Sequence, residues 1–389
     1  MVMIGKKNTI KKFIRKPVKK LSLRIKKWLG VLSPPTIIPY RGYGTPTKVF
    51  IRGHVLDDRI LYESNTEDKK RKNFRAMISR YLSEAIPDVR VSIQLFGEEK
   101  IVTTDANGLF ETTFEFPEPI THTGWQCIFY KVLDKIVDEQ KEIETEGEVY
   151  IQEPQSSFGI ISDVDDTILI SHATQTLRKL RLILTKNSKT RLPFTGVAAF
   201  YDALNTGVDN IRNPIFYVSS SEWNLYDFLE DFCEVRKIPK GPFLLQELKT
   251  SLWKLVKSGG GTHHHKLEKI RHLFEVYTDL SFILIGDSGQ KDSELYTKIC
   301  EEFPGRVKAI YIRDVSKSRK ENKVLAMAEG LKQHGVEMLL VEDTAAAAQH
   351  AFENQYITEK ELTLVKQETQ EQKGKAESLV GQIVETENK

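Results

Sequence analysis

Short apolar runs that alternate with helical segments constrain the fold of this chain more than any other feature of its sequence. From Phe158 onward the runs are FGIIS, PIFYVS, FLL, SFILIG, VKAIYI and VEMLLV, and helical periodicity follows most of them. This alternation predicts an α/β domain over residues 154–357, built on a mainly parallel sheet flanked by helices. Because ligands of such sheets bind beyond the carboxyl ends of the strands, the residues at the end of each run are candidates for chemistry.

Polar residues that suit one kind of chemistry stand at the ends of three of these runs. Carboxylates separated by one residue leave a strand on the same side, where they repel each other unless a cation lies between them or one is protonated. Oxygen ligands without His or Cys favour Mg²⁺, and hydroxyl and ammonium donors beside them suit a phosphoryl group. The residues concerned are Asp163, Asp165, Ser219, Ser220, Asp287 and Asp292, together with Lys266 near the start of a helix.

These segments, taken in order, resemble the four motifs of the haloacid dehalogenase superfamily: DVDDT, a Ser after an apolar strand, a Lys at a helix start, and GDSGQKD. A closer resemblance links SDVDDTILISHATQTLRKLRLILTKNSKTRLPFTGVAAFYDAL, FYVSSSEWNLYDFL and FILIGDSGQKDSELY to the actin-patch-type phosphatidate phosphatases and their bacterial relatives. It covers roughly residues 158–352 and implies a haloacid-dehalogenase-like fold and phosphomonoester hydrolysis.

The resemblance implies a role for each residue of the first motif. Asp163 would attack phosphorus and become an aspartyl-phosphate. Asp165 would protonate the leaving alcohol and then activate water, while its backbone carbonyl binds Mg²⁺. Thr167 would fix the loop that carries both.

The other motifs match residues that would hold the phosphoryl group and the metal. Ser219 would hydrogen-bond the phosphoryl oxygens, with Ser220 either beside it or capping the next turn. Lys266 would neutralise the charge of the aspartyl-phosphate. Asp287 would bind Mg²⁺, and Asp292 would support it, directly or through water.

Three histidines, His263 to His265, follow the glycines 259–261 just before Lys266 and leave two interpretations open. They could be a metal site, but three adjacent His residues seldom converge on one metal at a helix start. We therefore expect an exposed loop there.

Residues 48–153 have the pattern of a small β-sandwich. Strands are predicted at 48–56, 89–96, 109–116, 126–133 and 148–153, with a turn at Asp105–Gly108 and a helix at 68–85. The preceding residues 31–47 are rich in Pro and Gly and are predicted to be a linker. Residues 358–389 are charged and are predicted to form a surface helix or a mobile tail.

Residues 1–30 form a basic arm that carries 11 Lys and Arg and no acidic residue. Its apolar stripe has helical spacing, which is typical of an amphipathic helix in a membrane interface. The stripe is Ile10, Ile14, Val18, Leu21, Ile25 and Trp28. The alternatives are a disordered basic tail that adheres to any polyanion, and a transit peptide.

The remaining residues carry 46 basic against 54 acidic side chains, which argues against nucleic acid as a partner. The 3 cysteines have no CxxC spacing, which favours a reducing compartment. The sequence contains no run of about 18 apolar residues, which is the length that a membrane-spanning helix needs. We therefore expect a cytoplasmic protein that binds membranes peripherally.

Together these patterns predict a Mg²⁺-dependent phosphatase that converts phosphatidate to diacylglycerol at a membrane surface. The alternatives are a phosphatase for soluble phosphomonoesters or phosphoproteins, and a non-catalytic lipid-binding scaffold. The phospholipid substrate and the role of the arm rest on the family resemblance and on charge, because a fold alone does not fix a substrate.

Overall fold

The chain divides into two compact units, Met1–Ile151 and Gln152–Lys389. The computed structural model describes residues 34–57, 85–138, 140–164, 195–208, 211–246, 262–288, 291–314 and 321–387. Within this described part of the chain, no helix is both long and apolar enough to cross a membrane.

The N-terminal unit is built on one sheet of eight strands, in which β6 pairs with β3 and the other strands follow the order β1-β3-β2-β8-β7-β4-β5. The pairs are antiparallel except for β2 and β8, which are parallel. The strands are β1 (Pro35–Pro39), β2 (Gly42–Thr45), β3 (Lys48–Asp57), β4 (Arg90–Leu95), β5 (Glu98–Thr103), β6 (Leu109–Glu115), β7 (Gly124–Val132) and β8 (Glu144–Ile151).

The predicted turn before β6 is confirmed. Asp105 Oδ1 accepts hydrogen bonds from the backbone N–H groups of Asn107 and Leu109, at 2.7 and 3.0 Å. Gly108 has φ 71°, and a Cβ there would lie 2.6 Å from the carbonyl oxygen of Val55. The turn therefore needs glycine both for its backbone angle and for its close approach to β3.

The expectations for this unit are only partly met. The interval 31–47, predicted to be a linker, contains β1 and β2; proline stands at the two ends of β1, where a missing N–H is tolerated. Strand β5 was not predicted. All eight strands form one hydrogen-bonded sheet, so the sandwich is not confirmed. The helix predicted at 68–85 lies outside the described residues except for Ala85, which forms a bridge with Leu56.

The C-terminal unit contains a sheet of six strands in the order β11-β10-β9-β12-β13-β14, and every pair in it is parallel. Each predicted apolar run corresponds to one strand, and β9 and β12 are buried along their whole length, as expected for parallel strands covered on both faces. The strands are β9 (Gly159–Asp163), β10 (Ile215–Glu222), β11 (Phe243–Gln246), β12 (Phe282–Asp287), β13 (Val307–Arg313) and β14 (Glu337–Val341).

The described part of this unit also contains seven helices, which cover both faces of the sheet. On one face the ring of Phe274 packs 4.5 Å from Phe282, and on the other Phe200 packs 5.6 Å from Tyr311. The helices are α1 (Val197–Thr206), α2 (Tyr226–Val235), α3 (Thr262–Val276), α4 (Asp292–Glu302), α5 (Glu321–Lys332), α6 (Thr344–Glu353) and α7 (Glu359–Glu387).

The charged C-terminal segment forms α7, and its first half is docked on the unit. Leu362, Val365 and Thr369 are buried on one face of the helix. The backbone N–H of Gly196, before α1, donates to Gln372 Oε1 at 3.0 Å. Of the two forms predicted for this segment, the structure has the helix.

The strand order creates one switch point in this sheet. The chain runs from β9 outward to β11 on one side and then returns to β12 and continues outward to β14 on the other. A crevice therefore opens beyond the carboxyl ends of β9 and β12, where ligands of open parallel sheets bind.

Candidate active site

Two carboxylates stand at the switch point, because each is the last residue of a buried strand. Asp163 ends β9 and Asp287 ends β12, and they are 2% and 1% exposed. β12 is apolar until that position, and β9 has one polar residue before it, the buried Ser162, so the sheet carries the two acids to its edge on otherwise apolar strands.

Asp292 completes a cluster of three buried carboxylates with Asp163 and Asp287. One oxygen from each of the three lies within 4.8 Å of the others. Asp292 is the first residue of α4, and its Oδ2 accepts a hydrogen bond from the Asp287 backbone N–H at 3.2 Å. A Cβ at Gly286 would lie 2.7 Å from both Cβ and Oδ2 of Asp292, so a glycine there lets the start of α4 approach the strand.

Lys266 supplies a buried positive charge to this cluster. Its side chain is 2% exposed, and Nζ lies 2.8 Å from Asp163 Oδ2 and 3.5 Å from Asp292 Oδ1. It is the fifth residue of α3, which begins earlier than predicted and is anchored by the buried stripe Leu267, Ile270, Leu273 and Phe274. The apolar face of α3 therefore holds the ammonium group at the strand ends.

Burial and the neighbouring Asp163 carboxylate raise the pKa of the Asp292 carboxyl well above its usual range, and Lys266 opposes this shift. Three acids with one lysine leave an excess of negative charge, which is costly in a buried site unless a further cation or a proton is bound. The donors Asp163, Asp287 and Asp292 offer oxygen alone, and such donors suit a hard divalent cation. The cluster therefore fits a divalent metal site.

The two predicted serines lie on β10, the neighbour of β9. Val218 pairs in register with Asp163, so Ser219 follows directly at the same edge. Ser219 is buried, its Oγ accepts a hydrogen bond from the Ser221 backbone N–H at 2.9 Å, and its carbonyl accepts one from Lys269 Nζ at 3.1 Å. Ser220 is half-buried. The structure thus brings the second motif to the edge that carries the aspartates.

Some predicted residues are not in the cluster. Asp165 and Thr167 lie outside the described residues. His263, His264 and His265 fall in the first turns of α3 and not in a loop; the His265 side chain is half exposed and lies 3.6 Å from Glu268. Among the residues described, the cluster with metal-ligand spacing is made by the three aspartates and includes no histidine.

Sequence reasoning missed a polar layer on the other face of the sheet. The Tyr201 hydroxyl and Ser162 Oγ are 2.7 Å apart, and Ser162 Oγ donates to the Asp163 carbonyl at 3.1 Å. Burial raises the pKa of Tyr201 to about 12. Arg313, buried at the end of β13, pairs in register with Asp287. The position of Arg313 after the run VKAIYI was a signal of the kind that identified the aspartates.

Comparison with solved structures adds little. The chain aligns with a carbohydrate acetylesterase from Xanthomonas citri at 11% identity and a TM-score of 0.27, covering 79% of this chain and 68% of that one. It aligns with a β-glucuronidase from Parabacteroides merdae at 10% identity and a TM-score of 0.25, covering 78% and 40%. Scores this low support no argument about fold or function.

Comparison with known sequences is more informative. The chain is 25% identical over 282 residues to phosphatidate phosphatase APP1 of Saccharomyces cerevisiae, covering 68% of this chain and 46% of that protein. An uncharacterized protein of Schizosaccharomyces pombe is 27% identical over 166 residues, covering 41% and 26%. The chain thus spans less than half the length of these relatives. Residues 158–314 match the family model described as phosphatidate phosphatase APP1, catalytic domain, which confirms the resemblance to these phosphatases indicated by the sequence motifs.

Proposed function

We propose that this chain is a Mg²⁺-dependent phosphatase that hydrolyses a phosphomonoester through an aspartyl-phosphate on Asp163. The observation that carries the proposal is the buried cluster of Asp163, Asp287 and Asp292 with Lys266 at the switch point of the sheet. The cluster lies in the segment that matches the phosphatase family model. The order of the motifs along the parallel sheet supports a haloacid-dehalogenase-like fold for this unit.

The metal would be held by the three aspartates, joined by the Asp165 backbone carbonyl that the family resemblance implies. Mg²⁺ is favoured over softer metals because the described donors are carboxylate oxygens. When bound, the ion supplies positive charge that screens the nucleophile and the phosphate from each other.

The chain's own residues would carry out two displacements at phosphorus. In the first, a carboxylate oxygen of Asp163 forms a bond to phosphorus while the alcohol oxygen leaves and takes a proton from Asp165. In the second, Asp165 takes a proton from water as the water oxygen attacks phosphorus, which releases inorganic phosphate and restores the Asp163 carboxylate. The role of Asp165 rests on the family resemblance.

Lys266 would act in both displacements by offsetting negative charge. Its Nζ is 2.8 Å from Asp163 Oδ2, so the ammonium group lies beside the nucleophile before the reaction and beside the acyl phosphate after it. A fixed charge in a buried site needs little reorganisation when the reaction occurs, which makes such groups effective. Ser219 and Ser220 would add hydroxyl donors to the phosphoryl oxygens.

The favoured substrate is phosphatidate, with diacylglycerol as the product. Two observations support this choice: the match to the APP1 catalytic domain and the basic arm, residues 1–30. Each Lys or Arg near an anionic leaflet contributes about 1 kcal/mol of attraction, so the arm would bind the protein peripherally to the cytoplasmic face of a membrane.

The proposal is tested by assaying purified full-length protein against phosphatidate in mixed micelles and against soluble phosphomonoesters, with Mg²⁺ and after chelation. We expect Mg²⁺-dependent release of phosphate from phosphatidate that Asp163→Asn abolishes. Asp202→Asn is the matched control, because Asp202 is an exposed aspartate on α1. Activity on soluble phosphomonoesters or phosphoproteins alone would show that phosphatidate is not the substrate. No activity on any of these compounds would favour a lipid-binding scaffold.

A further inference from the structure

A buried glutamine at the edge that carries the active-site cluster is not used by the proposed mechanism. Gln246 is the last residue of β11 and is 6% exposed. Among the described residues, its Nε2 has no hydrogen-bond partner. Leaving a buried donor unpaired costs about 1 to 3 kcal/mol, so this amide would gain from a hydrogen-bond partner that the described residues do not provide.

The register of the sheet gives the position of Gln246 relative to Asp163. Val218 pairs with Asp163 on one side and with Leu244 on the other, so the side chains at these three positions project to the same face. Gln246 is two residues beyond Leu244 and pairs with Glu222, past a shift in the β10–β11 register; by the alternation along β11 its side chain projects to that face too. It lies past the level of Asp163, in the direction in which the crevice opens.

The distance across the sheet suits the alcohol part of a substrate. Strands in a sheet are about 4.8 Å apart, so the two steps from β9 to β11 separate their backbones by about 10 Å. A phosphoryl group bound at Asp163 would lie beyond the reach of the Gln246 amide. Groups several bonds further along the alcohol would come within hydrogen-bond distance of it.

The chemistry of the Gln246 side chain indicates which group of the substrate it could bind. The amide is neutral, whereas the phosphoryl group is met by the ammonium of Lys266. An Nε2 donor in a buried position fits an uncharged acceptor, such as the carbonyl oxygen of a carboxylic ester. We infer that Gln246 is a specificity-determining residue that donates a hydrogen bond to an acyl-ester carbonyl of the substrate. This inference rests on the proposed function, since a diacyl phosphate ester is what supplies that carbonyl.

The test compares three soluble substrates: a short-chain diacyl phosphatidate, its dialkyl ether analogue, which lacks the carbonyl groups, and para-nitrophenyl phosphate as the reference. One neutral hydrogen bond changes an equilibrium or a rate by roughly threefold to tenfold. We expect wild-type kcat/KM to favour the diacyl over the ether substrate by about that factor, and Gln246→Leu to remove the preference.

A control variant at another glutamine and a second substitution of Gln246 complete the test. Gln349→Leu removes a glutamine on α6 whose Nε2 already donates to Glu353, and it should leave the preference intact. If Gln246→Leu does not fold, Gln246→Met removes the donor with an unbranched side chain of similar length, and the same loss of the diacyl-to-ether preference is expected of it. An unchanged diacyl-to-ether ratio in the variant, or an equal loss on all three substrates, overturns the inference. Wild-type turnover of para-nitrophenyl phosphate without turnover of the diacyl substrate overturns the proposed substrate and the inference with it.

Discussion

Lys266→Met is the substitution whose effect follows most directly from the structure. It removes a buried charge while keeping an unbranched side chain of similar length. At an effective dielectric constant of about 20, the ammonium attracts a carboxylate 2.8 Å away by about 6 kcal/mol and one 3.5 Å away by about 5 kcal/mol. Desolvation offsets much of this attraction, and breaking a buried ion pair costs about 3 to 5 kcal/mol in net stability.

For Lys266→Met we expect a loss of stability at the lower end of this range of about 3 to 5 kcal/mol. The pKa of the Asp292 carboxyl is already raised by burial and by Asp163. Lys266 opposes that shift, so without the lysine the pKa of Asp292 rises further, which favours the neutral form of Asp292 and leaves Asp163 as the main partner that loses its ion pair. We therefore predict that Lys266→Met lowers the unfolding free energy of metal-free protein by about 3 kcal/mol.

The catalytic rate of the Lys266→Met variant is a second test of the role of this lysine. A preorganised charge beside the reacting atoms is worth about 10² to 10³ in kcat, so we expect a loss of that size on a soluble phosphomonoester. Urea unfolding and kcat should be measured together, at a temperature where the variant is folded. Lys323→Met is the control, because Lys323 is 60% exposed in its ion pair with Glu294 and should contribute less than about 1 kcal/mol. A Lys266→Met variant with near-wild-type stability and turnover would refute the account of this residue.

Three further predictions concern the metal, the arm and the N-terminal unit. Chelation should remove turnover and Mg²⁺ should restore it, whereas full activity after exhaustive chelation, or a zinc requirement, would contradict the oxygen-donor site. Deleting residues 1–30 should reduce binding to anionic vesicles and turnover of vesicle-embedded phosphatidate but spare a soluble substrate; equal vesicle binding by both forms would exclude the anchor. Burial, followed by the nearby Arg52 charge, lowers the pKa of His54 to about 4. Because this folded-state pKa lies below the unfolded value, the stability present above pH 6.5 should decrease by about 3 kcal/mol as the pH falls to 4. Urea unfolding of wild type and His54→Gln measures this, and an equally steep loss in the variant would assign it to other groups.

The C-terminal sheet was predictable because parallel strands buried on both faces are nearly continuous apolar runs. FGIIS, PIFYVS and the four runs after them correspond to β9 to β14. Apolar length and flanking polar residues were sufficient there, since neither depends on which strand lies next to which.

The strands that escaped prediction lack that signal. β5 is exposed along most of its length and carries Glu98, Glu99 and Lys100, so it has no apolar alternation. β1 has prolines at both ends, and β2 contains two glycines, which are residues typical of loops. These segments are strands because neighbouring strands pair with them, and pairing over long sequence separations is not encoded in a local pattern.

The residues of the candidate site also fall into those that the sequence predicted and those that it did not. Asp163, Ser219 and Asp287 were identified because strand ends in parallel sheets meet at one edge. Gln246 and Arg313 also end apolar strands, but they belong to no motif, and only the register of β11 and β13 relates them to the aspartates. The approach of Asp292 to Asp287 depends on Gly286, whose role follows from packing and not from its position in the sequence.

The covalent step on Asp163 is tested most directly by isolating the phosphorylated enzyme. Full-length protein is mixed with phosphatidate and Mg²⁺, quenched in acid within the first turnover, digested and analysed by mass spectrometry. The account predicts a phosphate on the peptide that contains Asp163, sensitive to hydroxylamine as acyl phosphates are and absent from Asp163→Asn. Turnover at a full rate with no phosphate on that peptide at any quench time, or phosphate on another residue, would contradict it.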